Sequence, residues 1–204
     1  SHLLGVQEEE LDELWLTAAI EWSVRPNAHS WLQRTAMDIL ARDRLGEDFL
    51  VERLTKPMNT QDDWHVRAHC ITLLEHIAPT RLLDLTVSLL EQEPEDGVIC
   101  ALCGALGKIA DPRSTALLGA MLGDSFGANA QVRVAAGLAC ANLVRQLDPN
   151  AVHILVKRLT RELDPEVLLV TKDALLEALI EYPSHRGQAQ LSEKLREAIA
   201  RSFS

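Results

Sequence analysis

The chain has 204 residues, of which 47% are hydrophobic and 25% are charged, a composition that supports a packed core and excludes global disorder. Acidic residues outnumber basic ones by 30 to 20, so the net charge is −10. Because nucleic acids and anionic membrane surfaces are bound through Lys and Arg, this charge disfavours both kinds of partner.

The apolar residues recur at the helical period along almost the whole chain, which predicts an all-α protein of eleven helices. No alternating segment is bounded by the turn residues that a β-hairpin requires. In chain order, we predict a lone helix at about 7–24 and helix pairs at about 29–44 and 46–56, 62–78 and 80–92, 95–109 and 111–123, 129–146 and 149–162, and 165–181 and 186–202.

The first predicted helix carries Leu11, Ala18 and two tryptophans on one face, and it has no partner helix. The four tryptophans of the chain all lie in its first third: Trp15, Trp22, Trp31 and Trp64. Two interpretations are open. The tryptophans form a bulky plug at one end of the fold, or they are an exposed aromatic anchor for a partner, since Trp is enriched at binding hot spots.

The helix pairs repeat along the sequence. Four valines that head the first helix of a pair lie 32, 34 and 35 residues apart, and residues 31–34 begin a weaker copy upstream: Val66, Val98, Val132 and Val167. Acidic or polar residues precede these anchors, as at Asp63, Asn129 and Asp164, and predict helix N-caps. The Asp-Pro steps at 111–112 and 148–149 predict the cap and first position of a second helix.

One pair of about 30 residues cannot bury both of its faces, so neighbouring pairs must stack on a shared core. We therefore predict a single α-solenoid domain over residues 3–204, with the first helix as its N-terminal cap. Small residues on the first helices, among them Gly104 and Ala136, are expected to let neighbouring helices approach closely.

The location of the protein is predicted from what the sequence lacks. No run reaches the roughly 18 apolar residues that a membrane-spanning helix requires, and no signal-peptide pattern opens the chain. Four cysteines are too few for a disulfide scaffold. We predict a cytoplasmic protein without a membrane partner. Ser1 and His2 resemble the remnant of a cleaved purification tag, which leaves open whether the natural protein is longer at either end.

The repeats resemble HEAT repeats. The segments that carry the resemblance are 66–68 (Val-Arg-Ala), 104–109, the Asp-Pro hinge at 111–112, and 132–136 (Val-Arg-Val-Ala-Ala). Their short form is similar to the phycobilisome-lyase, or E–Z, type. The resemblance is good over about 63–163, weaker over 29–56 and 165–202, and absent from the first helix. It implies stacked helix pairs whose second helices line a concave face, and it leaves the activity open.

Two constellations have residue types that bind metals. His65, His69 and His76 share one face of a predicted helix, and an i, i+4 histidine pair can hold a metal ion. Alternatively, the histidines pack against the preceding repeat or are simply exposed to solvent, because Glu75 is the only acidic residue nearby and points away from the pair. The HEAT-like deoxyhypusine hydroxylases bind iron through His-Glu dipeptides, which this sequence lacks. We expect neither a metal nor another cofactor.

Cys100 and Cys103 form half of a zinc or redox motif, but the second pair is missing. Both lie inside the apolar run 98–106, where free cysteine behaves as a small hydrophobic residue. We therefore interpret them as core residues.

Charge is unevenly distributed along the sequence. Residues 1–102 hold 8 Lys and Arg against 19 Asp and Glu, a net charge of −11, whereas residues 103–204 hold 12 against 11, a net charge of +1. The main basic cluster is Lys157, Arg158 and Arg161. The alkylpurine DNA glycosylases, which are also HEAT-like, use a basic groove, but three cations are few for a phosphate track. Alternatively, this basic cluster is a solvated helix face, or it binds an acidic peptide partner.

We predict that the protein has no catalytic residues and binds another protein or a peptide, with an acidic-motif preference, through its second helices. The alternatives are a subunit of an enzyme such as a bilin lyase, which the resemblance suggests, and a nucleic-acid-binding protein. The oligomeric state stays open. The residues expected to be exposed on the binding face are Arg53, Lys56, Arg81, Asp84, Ser88, Thr115, Gly119, His153, Lys157, Arg161, Lys194 and Arg201.

Overall fold

A computed structural model describes residues 14, 15, 17–22, 25, 29–41, 44–55, 63–123, 129–146, 148–159, 161, 162, 164–181 and 200. These residues contain helix and no strand, so the predicted all-α class is confirmed. Residues 14, 15 and 17–22 are helical, and the predicted helix at about 186–202 lies outside the described residues except for residue 200. The helices with described bounds are α1 (Ser30–Leu40), α2 (Arg44–Thr55), α3 (Trp64–Ile77), α4 (Pro79–Gln92), α5 (Asp96–Ile109), α6 (Pro112–Leu122), α7 (Ala130–Arg145), α8 (Pro149–Leu159) and α9 (Pro165–Glu181).

The helices begin at the predicted caps. The side chains of Asp63, Asp111 and Asn129 accept backbone hydrogen bonds from the first turns of α3, α6 and α7, at 2.8 to 3.0 Å. Two ends differ from the predicted ones. α1 ends at Leu40 rather than at about 44, and α8 ends at Leu159 rather than at about 162, because the N–H groups of residues 161 and 162 both donate to the Arg158 carbonyl and form a turn.

The chain divides into two compact units, Ser1–Val98 (the first unit) and Ile99–Ser204 (the second unit). In the first unit α1 packs on α3 and α2 packs on α4. In the second unit α7 packs on α9 and α6 packs on α8. First helices therefore stack on first helices and second helices on second helices, as tandem pairs require. The single domain over residues 3–204 stays a prediction.

The anchor valines lie in the core of their units. Val66, Val98, Val132 and Val167 are each at most 2% exposed. The first unit also buries Met37, Leu50, Ile71 and Leu82, and the second unit buries Leu106, Leu118, Leu155 and Leu175. The predicted period is confirmed, because it places one apolar residue of each pair at an equivalent buried position.

Two first helices approach each other closely at a glycine. A Cβ atom on Gly107 would lie 2.8 Å from the Cα atom and 2.9 Å from the carbonyl oxygen of Ala139, on the next first helix. The expectation for Gly104 is wrong, because no described residue beyond its own stretch of helix lies within 4 Å of the position that its Cβ would take. Gly104 and Gly107 are three residues apart in one helix, and the rotation of α5 about its axis determines which of them faces α7.

An Arg–Glu ion pair that the sequence analysis missed closes a helix pair in each unit. In the first unit Arg67 donates to both carboxylate oxygens of Glu93, at 2.8 and 2.9 Å. In the second unit Arg133 donates to Glu162 at 3.1 Å. Each glutamate also accepts the backbone N–H two residues further on. The Arg after an anchor valine is thus tied to the end of the second helix. The recurrence of Val-Arg was visible in the sequence, but its partner was not.

Candidate functional site

A surface groove of about 430 Å³ lies in the second unit, between the two second helices α6 and α8. We call it the α6–α8 groove. It combines small, apolar and basic residues, which are Ala116, Gly119, Leu122, Gly123, Ile154, Lys157, Arg158 and Arg161. Three of these residues belong to the predicted binding face, and they come from two different repeats.

The floor of the groove is apolar, and one of its side chains packs against a glycine. Leu122 is buried, and the Ile154 side chain lies so close to α6 that a Cβ on Gly119 would be 2.8 Å from its Cδ1 atom. The Ile154 side chain therefore packs directly on Gly119 and forms the apolar floor of the groove. An aliphatic side chain placed there would leave water for an apolar surface.

The rim of the groove is basic. Lys157 is exposed in the last turn of α8, and Arg161 is exposed in the turn that follows. His153 is exposed one helical turn before Lys157, so the three residues lie along one side of α8. The turn is fixed by the hydrogen bond of 2.9 Å from the Arg161 N–H to the Arg158 carbonyl.

The third cation of the cluster has a different role. The Arg158 side chain is buried, with a residue exposure of 8%, and its Nε atom donates to Glu162 at 2.6 Å. The same carboxylate oxygen accepts from Arg133. One buried carboxylate therefore holds two guanidinium groups. Burial and pairing at Arg158 leave Lys157 and Arg161 as the accessible cations of the predicted cluster.

The remaining residues of the predicted face are distributed differently. Asp84 and Ser88 are exposed on α4 in the first unit. Arg81 contacts α2 through Asp48 at 2.6 Å and Glu47 at 3.0 Å, and these hydrogen bonds raise the pKa of its guanidinium above the ordinary value. The side chain of Arg53, together with Lys56, Lys194 and Arg201, lies outside the described residues.

The predicted exposure of Thr115 is wrong. This residue is 2% exposed, and its hydroxyl donates to the carboxylate of Asp148 at the start of α8. Thr115 precedes Gly119 by one helical turn, but the loop before α8 covers it. The threonine therefore fastens α6 to α8 and does not face a ligand.

The three histidines of α3 contact separate carboxylates. His65 lies 2.6 Å from Asp63, and His69 lies 2.8 Å from Asp38 on α1. His76 is exposed and lies 3.9 Å from Glu75. Among the described residues, no group of three His, Cys, Asp or Glu side chains is arranged to hold a metal ion. The shared face is real, but on it His69 links two first helices one period apart.

Of the cysteines in the second unit, Cys103 and Cys140 are buried, whereas Cys100, also predicted as a core residue, is only half-buried, with its thiol 3.9 Å from the Gln131 carbonyl oxygen. Cys103 is fully buried, its thiol lies 3.2 Å from the Met121 sulfur, and burial raises its pKa to about 12. Burial likewise raises the pKa of Cys140 to about 12. Since the thiolate is the reactive form, a thiol with this pKa is neither a nucleophile nor a ready metal ligand at neutral pH. The interpretation of Cys103 as a core residue is confirmed.

Helix pairs that stack one period apart define a helical-repeat protein. The family model for HEAT repeats matches residues 47–139, so the chain contains HEAT repeats over that range. The phycobilisome-lyase type stays a prediction. No curated protein matches the chain. HEAT repeats generally serve as scaffolds for protein–protein interaction and are typically not catalytic. No helix in the described ranges is long and apolar enough to cross a bilayer.

Proposed function

We propose that this chain is a non-catalytic scaffold that binds an acidic peptide segment of another protein in the α6–α8 groove. The observation that carries the proposal is the pairing of two exposed cations, Lys157 and Arg161, with an apolar floor that includes Ile154. This arrangement fits a segment in which carboxylates and aliphatic side chains are interspersed. It is supported by the general role of HEAT repeats in protein interaction.

The two parts of the groove contribute differently to binding. Exposed ion pairs are worth about 1 kcal/mol or less each, because water and salt screen them. An aliphatic side chain gains roughly 25 cal/mol for each Å² of apolar surface that it buries. We infer that the floor supplies most of the affinity, whereas Lys157 and Arg161 set the preference for acidic over neutral segments and speed the encounter.

The proposal is tested by fluorescence anisotropy with a short labelled peptide in which Glu and Leu alternate. Reversing both rim charges, Lys157→Glu with Arg161→Glu, is expected to weaken binding about tenfold. The matched control is Lys108→Glu with Lys172→Glu, which changes the net charge equally in the same unit but outside the groove. Equal affinities of the two double variants would show that only the overall charge matters and would refute peptide binding in the α6–α8 groove.

A second variant tests the floor separately from the rim. Gly119→Val brings a Cβ atom to 2.8 Å from the Ile154 Cδ1 atom, so it displaces Ile154 from the floor without changing any charge. We expect it to weaken the Glu–Leu peptide and to leave a Glu–Gly peptide, which has no aliphatic side chain, unaffected. Undiminished binding of the Glu–Leu peptide would mean that the floor is not occupied.

A further inference from the structure

The tryptophans of the first unit are at the surface, so the plug interpretation is wrong. Trp22, Trp31 and Trp64 are 41%, 53% and 38% exposed, and Trp15 is 62% exposed. Burial of a large indole side chain is a major source of stability, so several exposed indoles in one unit need a different explanation. We call Trp31 and Trp64 the tryptophan edge.

The two residues of the tryptophan edge occupy equivalent positions one repeat apart. Trp31 is in the first turn of α1 and Trp64 begins α3. The Asp63 carboxylate hydrogen-bonds the Ser30 side chain, which joins the starts of the two helices. Because Trp31 follows Ser30 and Trp64 follows Asp63, both indoles lie at the same end of the stacked helices.

The Trp64 ring is held in place by its neighbours. It stacks on the His65 ring with centroids 3.7 Å apart and an interplanar angle of 24°. It also lies over the start of α5, where a Cβ on Gly97 would be 2.6 Å from its Cζ3 atom. A ring that is fixed but still exposed loses little conformational entropy when it binds a partner.

Trp22 shows what kind of group an exposed indole of this unit accepts. The Arg25 guanidinium lies over its indole ring, 4.7 Å from the centroid, in a cation–π contact. The Arg25 carbonyl accepts a hydrogen bond of 2.9 Å from Gln33 of α1, which fixes this segment beside the first helix of the stack. The chain thus already pairs one exposed indole of the first unit with a guanidinium group of its own.

The charge around the edge also favours a cation. Residues 1–102 carry a net charge of −11, and Asp63 and Glu95 lie beside the starts of α3 and α5. Burial raises the pKa of Asp63, but the His65 N–H and the side chains of His65 and Ser30 lower it further, so the net shift is downward and this carboxylate is charged at neutral pH. Indole faces among carboxylates attract guanidinium groups by cation–π contact and by charge.

We propose that the tryptophan edge docks an arginine-containing, cationic peptide segment of a partner protein. Arginine is favoured over lysine because the planar guanidinium stacks on an indole face, whereas an ammonium group is more strongly hydrated. This site is separate from the α6–α8 groove in residues, in unit and in the sign of its ligand, so either proposal can fail alone.

The test uses a labelled peptide in which Arg and Gly alternate, with Lys–Gly and Glu–Gly peptides for comparison. We expect the Arg–Gly peptide to bind most tightly and to shift the intrinsic Trp emission. Trp31→Leu with Trp64→Leu is expected to weaken it about tenfold, whereas Trp15→Leu, the same substitution at an exposed site outside the edge, leaves it unchanged. Lys157→Glu with Arg161→Glu in the groove also leaves the Arg–Gly affinity unchanged.

Three outcomes would overturn the proposal. The first is equal binding by the double tryptophan variant, and the second is equal binding of the Arg–Gly and Lys–Gly peptides, which would reduce the contact to net charge. The third is a dimer that the double variant abolishes while the Arg–Gly peptide does not bind, which would assign the edge to a second copy. If the double variant fails to fold, Gly97→Ala displaces the Trp64 ring and is expected to weaken the Arg–Gly peptide instead.

Discussion

The two glycines of α5 offer a matched test of how the helix pairs stack. Gly104 and Gly107 are three residues apart in one helix of the second unit, and each can be replaced by Ala. A methyl group at Gly104 enters open space. A methyl group at Gly107 meets the backbone of Ala139 at 2.8 to 2.9 Å, which no side-chain rotation can relieve.

The difference between the two variants isolates the packing effect. Both substitutions gain the same helix propensity, about 1 kcal/mol for Ala over Gly in a helix interior. Only Gly107→Ala forces α5 and α7 apart, and such overpacking costs about 1–3 kcal/mol. We therefore expect Gly104→Ala to stabilise the protein by about 1 kcal/mol. Gly107→Ala is expected to be less stable than Gly104→Ala by about 2 kcal/mol.

The assay is thermal and urea unfolding followed by circular dichroism at the helical band. For a chain of this size 1 kcal/mol shifts Tm by about 2–4 °C, so the two variants should differ by about 4–8 °C. Gly107→Ala and Gly104→Ala with the same Tm would refute the close approach of α5 to α7, because propensity alone would then account for both.

Three further predictions concern stability. Glu162→Gln removes the buried carboxylate charge that pairs with both Arg158 and Arg133, so we expect a loss of about 3 kcal/mol in urea unfolding, against almost none for the exposed control Glu166→Gln; equal midpoints would contradict the ion pair. Asp63→Ala removes the N-cap of α3 and is expected to cost about 1 kcal/mol at neutral pH. Because folding lowers the pKa of Asp63, its contribution is complete above about pH 4 and is lost as the pH falls through the folded-state pKa, so the variant and the parent should converge in acid; a pH-independent gap would exclude this cause. Ala110 has φ 55°, in the left-handed region, where glycine is less strained than alanine. Ala110→Gly is therefore expected to raise the free energy of unfolding by about 0.5–1 kcal/mol, and the urea midpoint with it; a lowered midpoint would show that the alanine is not strained.

Features that depend on local chemistry were predictable from the sequence. The caps at Asp63, Asp111 and Asn129 form as predicted, because a side-chain oxygen before a helix accepts N–H groups only two or three residues away. The helix ends were less accurate. α8 stops at Leu159 because Arg158, Arg161 and Glu162 form a turn stabilised by a distant arginine, which the sequence pattern does not indicate.

The candidate sites were only partly predictable. The sequence indicated the basic residues Lys157 and Arg161 and the region of Gly119, but it placed the buried Thr115 beside them and grouped the buried Arg158 with the accessible cations. Helix boundaries are uncertain by a few residues, and each residue turns the helix by about 100°. The sequence therefore does not predict which residues at the flank of a helix are exposed, even where it clearly predicts the buried face.

The sequence by itself determined that this protein is a series of helix pairs with a period of 32 to 35 residues and a buried valine at the head of the first helix in four of them. That is possible because the apolar period and the caps act within a few residues. Only the tertiary structure decided that Gly107 rather than Gly104 meets a neighbouring helix, that Glu93 and Glu162 close the pairs, and that the tryptophans are exposed. These features depend on the rotation of one helix against another, which is set by packing between residues far apart in the chain.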